Sequence, residues 1–446
     1  MTARATRPRL LTGVAFGALV ALALVLRLLY VDATPGYELR HDARDYELHA
    51  QSIAVGEGYS RHVAYGRPTA FRPPGYPYFL AGVYRLAGAE RAPQPRRVHV
   101  ARIAQAYVGT AVVALIGAVA MLLWGPAPGL AATALGAVYV PLITVGGAVM
   151  SEPLFAVAML AALLAALVHR RSAHRYRYAL LTGVLAGLAV LTRANAVVML
   201  LPLAFAAWDG RPRRAWPSLG PPVVLLVAAV LTITPWTIRN ATQLHAFVPL
   251  STQLGSSLAG TYNDAARNDP DDPGAWRSVK HVPQYASLWR QVRTTPEAVL
   301  DQRLRAASRR YIAAHPFYVA EVGFWNTLRM LDLDGRRRWR ATAATISIDA
   351  RWADRGVLCF WLFALLALAG AATRAARRTP LFVWAIPALL FASVVFLAVE
   401  TPRYRTALDP FIVLLAAVAV TTAMGKLAGP MAATAPRPRA GARADI

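Results

Sequence analysis

Asp42 and Asp45 stand three residues apart in the stretch HDARDYELHA, just after an apolar run that ends at Tyr30. On a helix that spacing puts both carboxylates on one face. There they could exchange protons or pair with cations, at the point where the chain leaves a bilayer. Asp42 could equally be a helix N-cap on a solvated loop. In FRPPGYP, Arg72 starts a turn stiffened by two prolines and lies beside Tyr76. Such a turn can mount a guanidinium rigidly against a phosphate, or simply deliver the following YPYFLAGVY to the membrane surface. SEPLF puts Glu152 in a first helical turn, where the helix dipole favours an acid. Arg193 and Asn195 stand in TRAN, Arg239 and Asn240 in PWTIRN, and Glu400, Arg403 and Tyr404 in ETPRYR. Singly, each reads as interfacial anchoring. Together they put acids and arginines at the same ends of separate apolar segments, which a fold could gather around one cavity. HExxH, CxxC, GxxxxGK[ST] and GxSxG patterns do not occur, so zinc, P-loop and serine-elbow chemistry have no support and no metal site is expected.

These residues need elements to position them. The chain has 446 residues, 56% hydrophobic and 16% charged, where a soluble protein carries about 25% charged residues. The apolar residues come in long blocks, which implies an all-α polytopic membrane protein. Ten spans are expected, over 10–30, 99–123, 128–149, 152–168, 178–192, 196–208, 218–236, 355–373, 380–399 and 408–424. Read as one helix, 178–208 would be roughly 46 Å long against a bilayer core of roughly 30 Å, and would carry Arg193 near its middle. Splitting it at TRAN removes both problems. The first span, preceded by Arg4, Arg7 and Arg9, reads as a retained signal anchor.

With ten spans the N-terminus, HRRSAHRYR, DGRPRR, RAARR and the tail fall on one side, which the positive-inside rule makes cytoplasmic. The net charge of +25 sits mostly in such segments or in one long loop, so nucleic-acid binding is rejected. Of 23 acidic residues, only Asp209 and Asp445 fall on the cytoplasmic side. The organisation expected is a transmembrane module over 1–236 with a first outer loop at 31–98, an outer segment at 237–354, C-terminal transmembrane helices at 355–428 and a disordered cytoplasmic tail at 429–446. Interfacial helices are expected at 42–55, at YPYFLAGVYRLAG and at AASRRYIAAHPFYVAEVGFWNTLRM. Cys359 is the single cysteine and lies in an apolar run, a packing role.

DARDYELHAQSIAVGEGYS followed by RPTAFRPPGYPYFLAGVYRLAG resembles the first outer loop of glycosyltransferase family 39. That group, of the GT-C membrane fold, includes the dolichyl-phosphate-mannose–protein mannosyltransferases and the lipid A aminoarabinose transferases. SEPLF, TRAN, PWTIRN, FVPLSTQLGSSLAGTYN and ETPRYR come after it in the expected order, so the resemblance covers most of 10–424. It implies an integral plasma-membrane enzyme with a cytoplasmic N-terminus and an extracytoplasmic site. The implied reaction moves a sugar, with inversion, from a polyprenyl-phosphate donor to a hydroxyl on a protein, glycolipid or polysaccharide. Asp42 matches the family's aspartate in place and would be the general base. Arg72, Arg193, Arg239 and Arg403 are the cations implied for the leaving phosphate, unranked. Tyr76, Asn195, Asn240, Glu400 and Tyr404 complete the expected substrate-binding set.

There is one departure from the family pattern. Many members carry Asp-Glu where this chain has Asp42-Ala43, so Asp45 or Glu152 would supply a second carboxylate, and Asp45 remains an alternative base. No cofactor is implied beyond the lipid-linked substrate, and dependence on a divalent cation stays open. Two other readings compete: a flippase or transporter for a lipid-linked sugar, and a non-catalytic envelope assembly protein. A transporter should place its ionisable residues near the bilayer midplane. Here they gather at outer ends, with Arg27 inside the first span as an exception.

Overall fold

A computed structural model describes residues 3–61, 67–208, 215–292 and 294–433. Regular structure among the described residues is helical, apart from an isolated bridge between Ser60 and Pro68. The chain opens with α1 (Ala3–Asp32). The first loop, which follows α1, carries α2 (His41–Val55) and α3 (Gly75–Leu86). Then come α4 (Gln94–Trp124), α5 (Pro126–Val138), α6 (Val140–Gly146), α7 (Glu152–His169) and α8 (Arg175–Thr192). After a 3₁₀ turn over Ala194–Met199 come α9 (Leu200–Ala207) and α10 (Ala215–Leu244). The long segment after α10 carries α11 (Gln253–Thr261), α12 (Asp264–Arg267), α13 (Ala286–Arg290), α14 (Glu297–Ala314), α15 (Pro316–Met330) and α16 (Arg336–Ala344). The chain closes with α17 (Ala350–Ala371), α18 (Arg374–Arg377), α19 (Leu381–Val395) and α20 (Asp409–Ala433).

Among the described residues, six helices are long and apolar enough to cross a membrane: Leu10–Asp32, Gln94–Trp124, Glu152–His169, Ser218–Leu244, Ala350–Ala371 and Asp409–Lys426. The expectation of ten spans is therefore corrected to six, or seven if the bent pair α5–α6 forms one. Four expected spans are missing from the six. The 178–192 run falls in α8 (Arg175–Thr192), whose first turns carry Arg175 and Arg177 and which is not among the six. The other three fail by geometry or length. The 128–149 run bends by 58° between α5 and α6, where Pro141 has no N–H to continue the ladder. At TRAN the chain does break, with Arg193 extended, but the apolar element beyond the break, Ala194–Ala207, is short. α19 has only 15 residues, about 22 Å at 1.5 Å per residue, short of a bilayer core.

In the segments read as outer from sequence, α2 and α3 form where interfacial helices were expected. The third expected helix is two, since the chain breaks at His315 before Pro316 to give α14 and α15. α10 continues through position 236 to Leu244, past the expected module boundary. Of the tail expected to be disordered, 434–446 lies outside the described residues, as does the Asp209-containing stretch 209–214.

The main core joins α4, α5, α7, α8, α9, α19 and α20 through Ile116, Phe155, Leu163, Met199, Ile386 and Leu414. A second cluster seats the first loop, with Tyr46, Tyr76, Leu80 and Tyr84 against Met150, Trp236 and Ile346. Leu358, Leu362 and Leu365 on α17, and Val223, Val227 and Val230 on α10, are exposed at helical spacing, the pattern of faces that meet lipid.

Small residues set the closest helix approach. A Cβ on Gly187 of α8 would lie 2.7 Å from the Thr232 Cβ on α10, and one on Gly183 would strike the Leu225 carbonyl. Backbones approach this closely only where side chains are absent. Gly183→Leu is expected to destabilise the protein by about 1–3 kcal/mol, read as a lower melting temperature of the detergent-solubilised protein. An unchanged melting temperature would count against this packing.

Candidate functional site at the outer ends of the helices

Asp42 lies in the first turn of α2 but does not cap it. The cap position is Arg40, with no side-chain bond to the helix. His41 has a positive φ of 42°, and Asp42 turns its carboxylate toward two arginines. Its Oδ1 accepts from Arg72 Nη2 at 2.5 Å, and its Oδ2 from Arg403 Nη2 at 2.5 Å. One turn on, Asp45 Oδ2 accepts from Arg72 Nε at 2.6 Å and Oδ1 from Arg61 Nε at 2.8 Å. The three-residue spacing thus lets both acids grip one guanidinium. Arg72 is buried and lies about 5.1 Å from the centres of the Tyr46 and Phe71 rings. Tyr59 fixes its turn from behind by donating to the Arg72 carbonyl at 2.9 Å.

A second half comes from α7, the break after α8 and the segment before α20. Glu152 is buried and accepts from Arg193 Nη1 at 2.6 Å. The same oxygen lies 3.4 Å from Arg403 Nε. Ser151 joins the halves, 3.1 Å from the Tyr46 hydroxyl and accepting from Arg193 at 3.3 Å. Glu400 accepts from Arg403 Nη1 at 3.3 Å. Tyr404 presents its ring to Arg193 at 5.3 Å and to Arg403 at 4.8 Å. Among the described residues, four arginines (61, 72, 193 and 403) thereby meet four acids (42, 45, 152 and 400), so these eight are neutral as a group.

Burial alone would raise the Asp42 carboxyl. Arg72 and then Arg403 outweigh it and hold the group well below the ordinary carboxylate range. Asp45 is likewise lowered, with Arg72 and Arg61 overcoming burial. Burial would lower Arg72 and Arg403, but Asp42 is the leading charge that raises both. All four are therefore fully charged at neutral pH.

A small, partly open hollow lies beside this cluster. Glu152, Arg193, Asn195, Arg403 and Tyr404 make its polar wall, and Phe155 with Leu390, Phe391 and Val394 of α19 makes its apolar one. Asn195 also donates to Ser393 at 2.9 Å, tying the break after α8 to α19. An anionic head attached to an apolar tail fits such a division. Among the described residues no three His, Cys, Asp or Glu side chains are grouped as metal ligands.

Three other singled-out residues lie apart from the hollow. Arg239 donates to the Thr69 carbonyl at 2.7 Å and the Tyr59 carbonyl at 3.1 Å, and Asn240 to the Val248 carbonyl at 2.9 Å. Tyr76 is buried edge-on against Tyr46, 5.0 Å between ring centres. The Arg239 and Tyr76 contacts hold the first loop, while Asn240 ties α10 to the segment that follows it.

Sequence reasoning did not single out Arg61 or the anchor of the 400–408 segment. Arg405, fully buried over the Phe360 ring at 3.6 Å, donates to Asp332 and lies 3.4 Å from Asp409. Thr401 donates to Asp332 at 2.5 Å and Tyr139 to Asp409 at 2.9 Å. The four-residue spacing of Arg405 and Asp409 was a usable signal. Asp332, 73 positions upstream of Arg405, offered none. Arg405→Ala is expected to cost about 3–5 kcal/mol, since it strands two buried acids. Denaturant or thermal unfolding checks it, and a cost below about 1 kcal/mol would show that the anchor is dispensable.

Residues 71–238 match the family described as dolichyl-phosphate-mannose-protein mannosyltransferase. That stretch holds Arg72, Glu152 and Arg193. No curated protein sequence matches the chain. Among solved structures, the archaeal oligosaccharyltransferase AglB from Archaeoglobus fulgidus, in complex with an inhibitory peptide and a dolichol-phosphate, is similar with a TM-score of 0.55 and 15% identity, over 97% of this chain and 53% of that one. The apo form of the Archaeoglobus fulgidus oligosaccharyltransferase gives a TM-score of 0.55 and 14% identity, over 95% of this chain and 51% of that one. The chain therefore spans about half the length of these solved relatives, and at such identity the likeness is one of fold. Taken together, this chain has helices able to cross a membrane several times, a segment over 71–238 similar to the protein mannosyltransferases, and a fold like that of the archaeal oligosaccharyltransferase.

Proposed function

We propose that this protein is a glycosyltransferase that moves a sugar from a polyprenyl-phosphate donor to a hydroxyl acceptor, in a single inverting displacement at the outer face of the plasma membrane. The observation that carries the reading is the contact between Asp42 and Arg403 at the edge of a hollow that is polar, with two arginines, on one wall and apolar on the other. The matched mannosyltransferase segment and the dolichol-phosphate held by the structurally similar archaeal oligosaccharyltransferase agree with a lipid-phosphate substrate.

Asp42 takes the role of general base. It receives the acceptor hydroxyl's proton as that oxygen bonds to the anomeric carbon, and the bond from that carbon to the phosphate oxygen breaks. The electron pair leaves with the lipid phosphate. Arg193 and Arg403, both on the polar wall, stabilise the negative charge that develops there. Arg72 holds Asp42 in place from the side away from Arg403. Asp45 is the poorer candidate for the base, because both of its oxygens are committed to Arg61 and Arg72, neither of which lines the hollow. The prenyl chain lies along Phe155 and α19.

A transporter reading has less support. Arg27, the charge inside α1, is fully buried and donates to the Ala23 and Gly136 carbonyls at 3.0 and 3.4 Å, a packing role. For orientation, Arg4, Arg7 and Arg9 ahead of the first span favour a cytoplasmic N-terminus and an outer site.

Purified protein is expected to transfer label from one member of a panel of radiolabelled polyprenyl-phosphate sugars, and Asp42→Asn to lower that rate by about 100-fold or more. Transfer from none of them would sink the transferase reading, and a nearly unimpaired Asp42→Asn would sink the assignment of the base. With α5–α6 crossing as one bent span, five spans precede residue 345. A reporter fused there is therefore expected to read as extracytoplasmic, and a cytoplasmic signal would overturn that crossing and the orientation built on it.

A further inference from the structure

As it stands, Asp42 is a poor base, because each of its oxygens accepts from a guanidinium. The two arginines are held differently. Arg72 is locked by two carboxylates, with Asp42 at 2.5 Å and Asp45 at 2.6 Å, and sits between two aromatic rings. Arg403 has one short contact, to Asp42, while Glu400 and Glu152 stand at 3.3 and 3.4 Å. Its Nε is buried without a hydrogen-bond partner, and its side chain lines the hollow. The cluster is also neutral, four arginines against four acids among the described residues. An arriving phosphate anion meets no surplus cation in that group and competes with a carboxylate for one.

We infer that Arg403 is shared between Asp42 and the donor phosphate, so that donor binding frees Asp42 to act as base. This rests on the lipid-phosphate reading of the hollow and adds an order to it: donor first, base second. Arg193 is less available, since its short contact to Glu152 at 2.6 Å joins two residues of the same wall and leaves Asp42 untouched. By linkage the coupling runs both ways. If the charge on Asp42 weakens phosphate binding by some factor, bound phosphate strengthens proton binding by Asp42 by the same factor. The acceptor is then deprotonated only where a leaving group is already in position, which guards the site against unproductive proton transfer.

The test is the affinity of detergent-solubilised protein for undecaprenyl phosphate. Wild type should bind it, and Asp42→Asn should bind it about tenfold more tightly, within the usual 5–150-fold range of coupling between sites. Asp45→Asn, which removes an equal charge that does not touch Arg403, should leave the affinity close to wild type. In an Arg403→Ala background the gain from Asp42→Asn should vanish, closing a double-mutant cycle. Equal or weaker binding by Asp42→Asn overturns the sharing. So does a gain that survives without Arg403, or an equal gain from Asp45→Asn, since either marks a general field effect. Failure of wild type to bind the lipid phosphate strikes instead at the transferase reading beneath it. If Asp42→Asn does not fold, as judged by its melting curve, wild type still decides. Undecaprenyl phosphate should speed carbodiimide labelling of Asp42, mapped by mass spectrometry at mildly acidic pH, and protection of Asp42 would overturn the proposal.

Discussion

Charges removed from water must be paired, and that constraint organises the end of this molecule that holds the site. Asp42, Asp45, Glu152, Arg72, Arg193 and Arg403 are all buried or nearly so. A lone carboxylate or guanidinium in such surroundings would be strongly destabilising. Each is paired with a partner from a different part of the chain. Asp42 on α2 needs Arg72 from 30 residues on and Arg403 from 361 residues on. Glu152 on α7 needs Arg193 from the break after α8. The first loop, the start of α7, the TRAN break and the segment before α20 therefore cannot move apart without exposing one member of a pair.

The same pairing explains which parts of the site were readable from sequence. Asp42 and Asp45 share a helix face because a three-residue spacing dictates it, and the prolines after Arg72 stiffen its turn for reasons local to that turn. Glu152 is recognisable as a first-turn acid before Pro153. Local spacing does not tell which arginine answers which acid. Arg239 emerges at the end of an apolar helix just as Arg193 does, yet its guanidinium finds the Thr69 and Tyr59 carbonyls rather than a carboxylate. The pairing of Arg405 with Asp332 depends on two loops meeting over the Phe360 ring, and no pattern within either loop encodes it.

Span counting failed for a related reason. Hydropathy measures how long a segment stays apolar and is blind to its direction. The run through α5 and α6 is apolar enough to cross, but it turns by 58°, and Val145, Ala148, Val149 and Met150 then pack under the first loop. α19 and the Ala194–Ala207 element pack one side into the protein core through Ile386, Leu390, Met199 and Leu203, while Val197, Leu201, Phe205 and Leu381 remain exposed. Apolar composition was the right signal for burial, and in these segments neighbouring helices supply part of that burial.

The short elements have a consequence for the site. A helix that spans fully delivers its polar end into the headgroup region, where water screens any charge. α19 stops after 15 residues, and the chain from its end turns back through Glu400 and Arg403 to the start of α20. The Ala194–Ala207 element begins just after Arg193, the partner of Glu152. Both short segments thus bring arginines to the rim of a hollow whose other wall is Leu390, Phe391 and Val394. Charge and hydrocarbon meet there on partly buried side chains, where electrostatic interactions are stronger than between fully exposed groups. In such a setting the neutrality of the cluster becomes decisive, because any added anion competes for a cation already in use. Removing a guanidinium from Asp42 is the response that costs least, since Asp42 keeps Arg72, whereas removing Arg193 from Glu152 would leave that buried acid only the more distant Arg403.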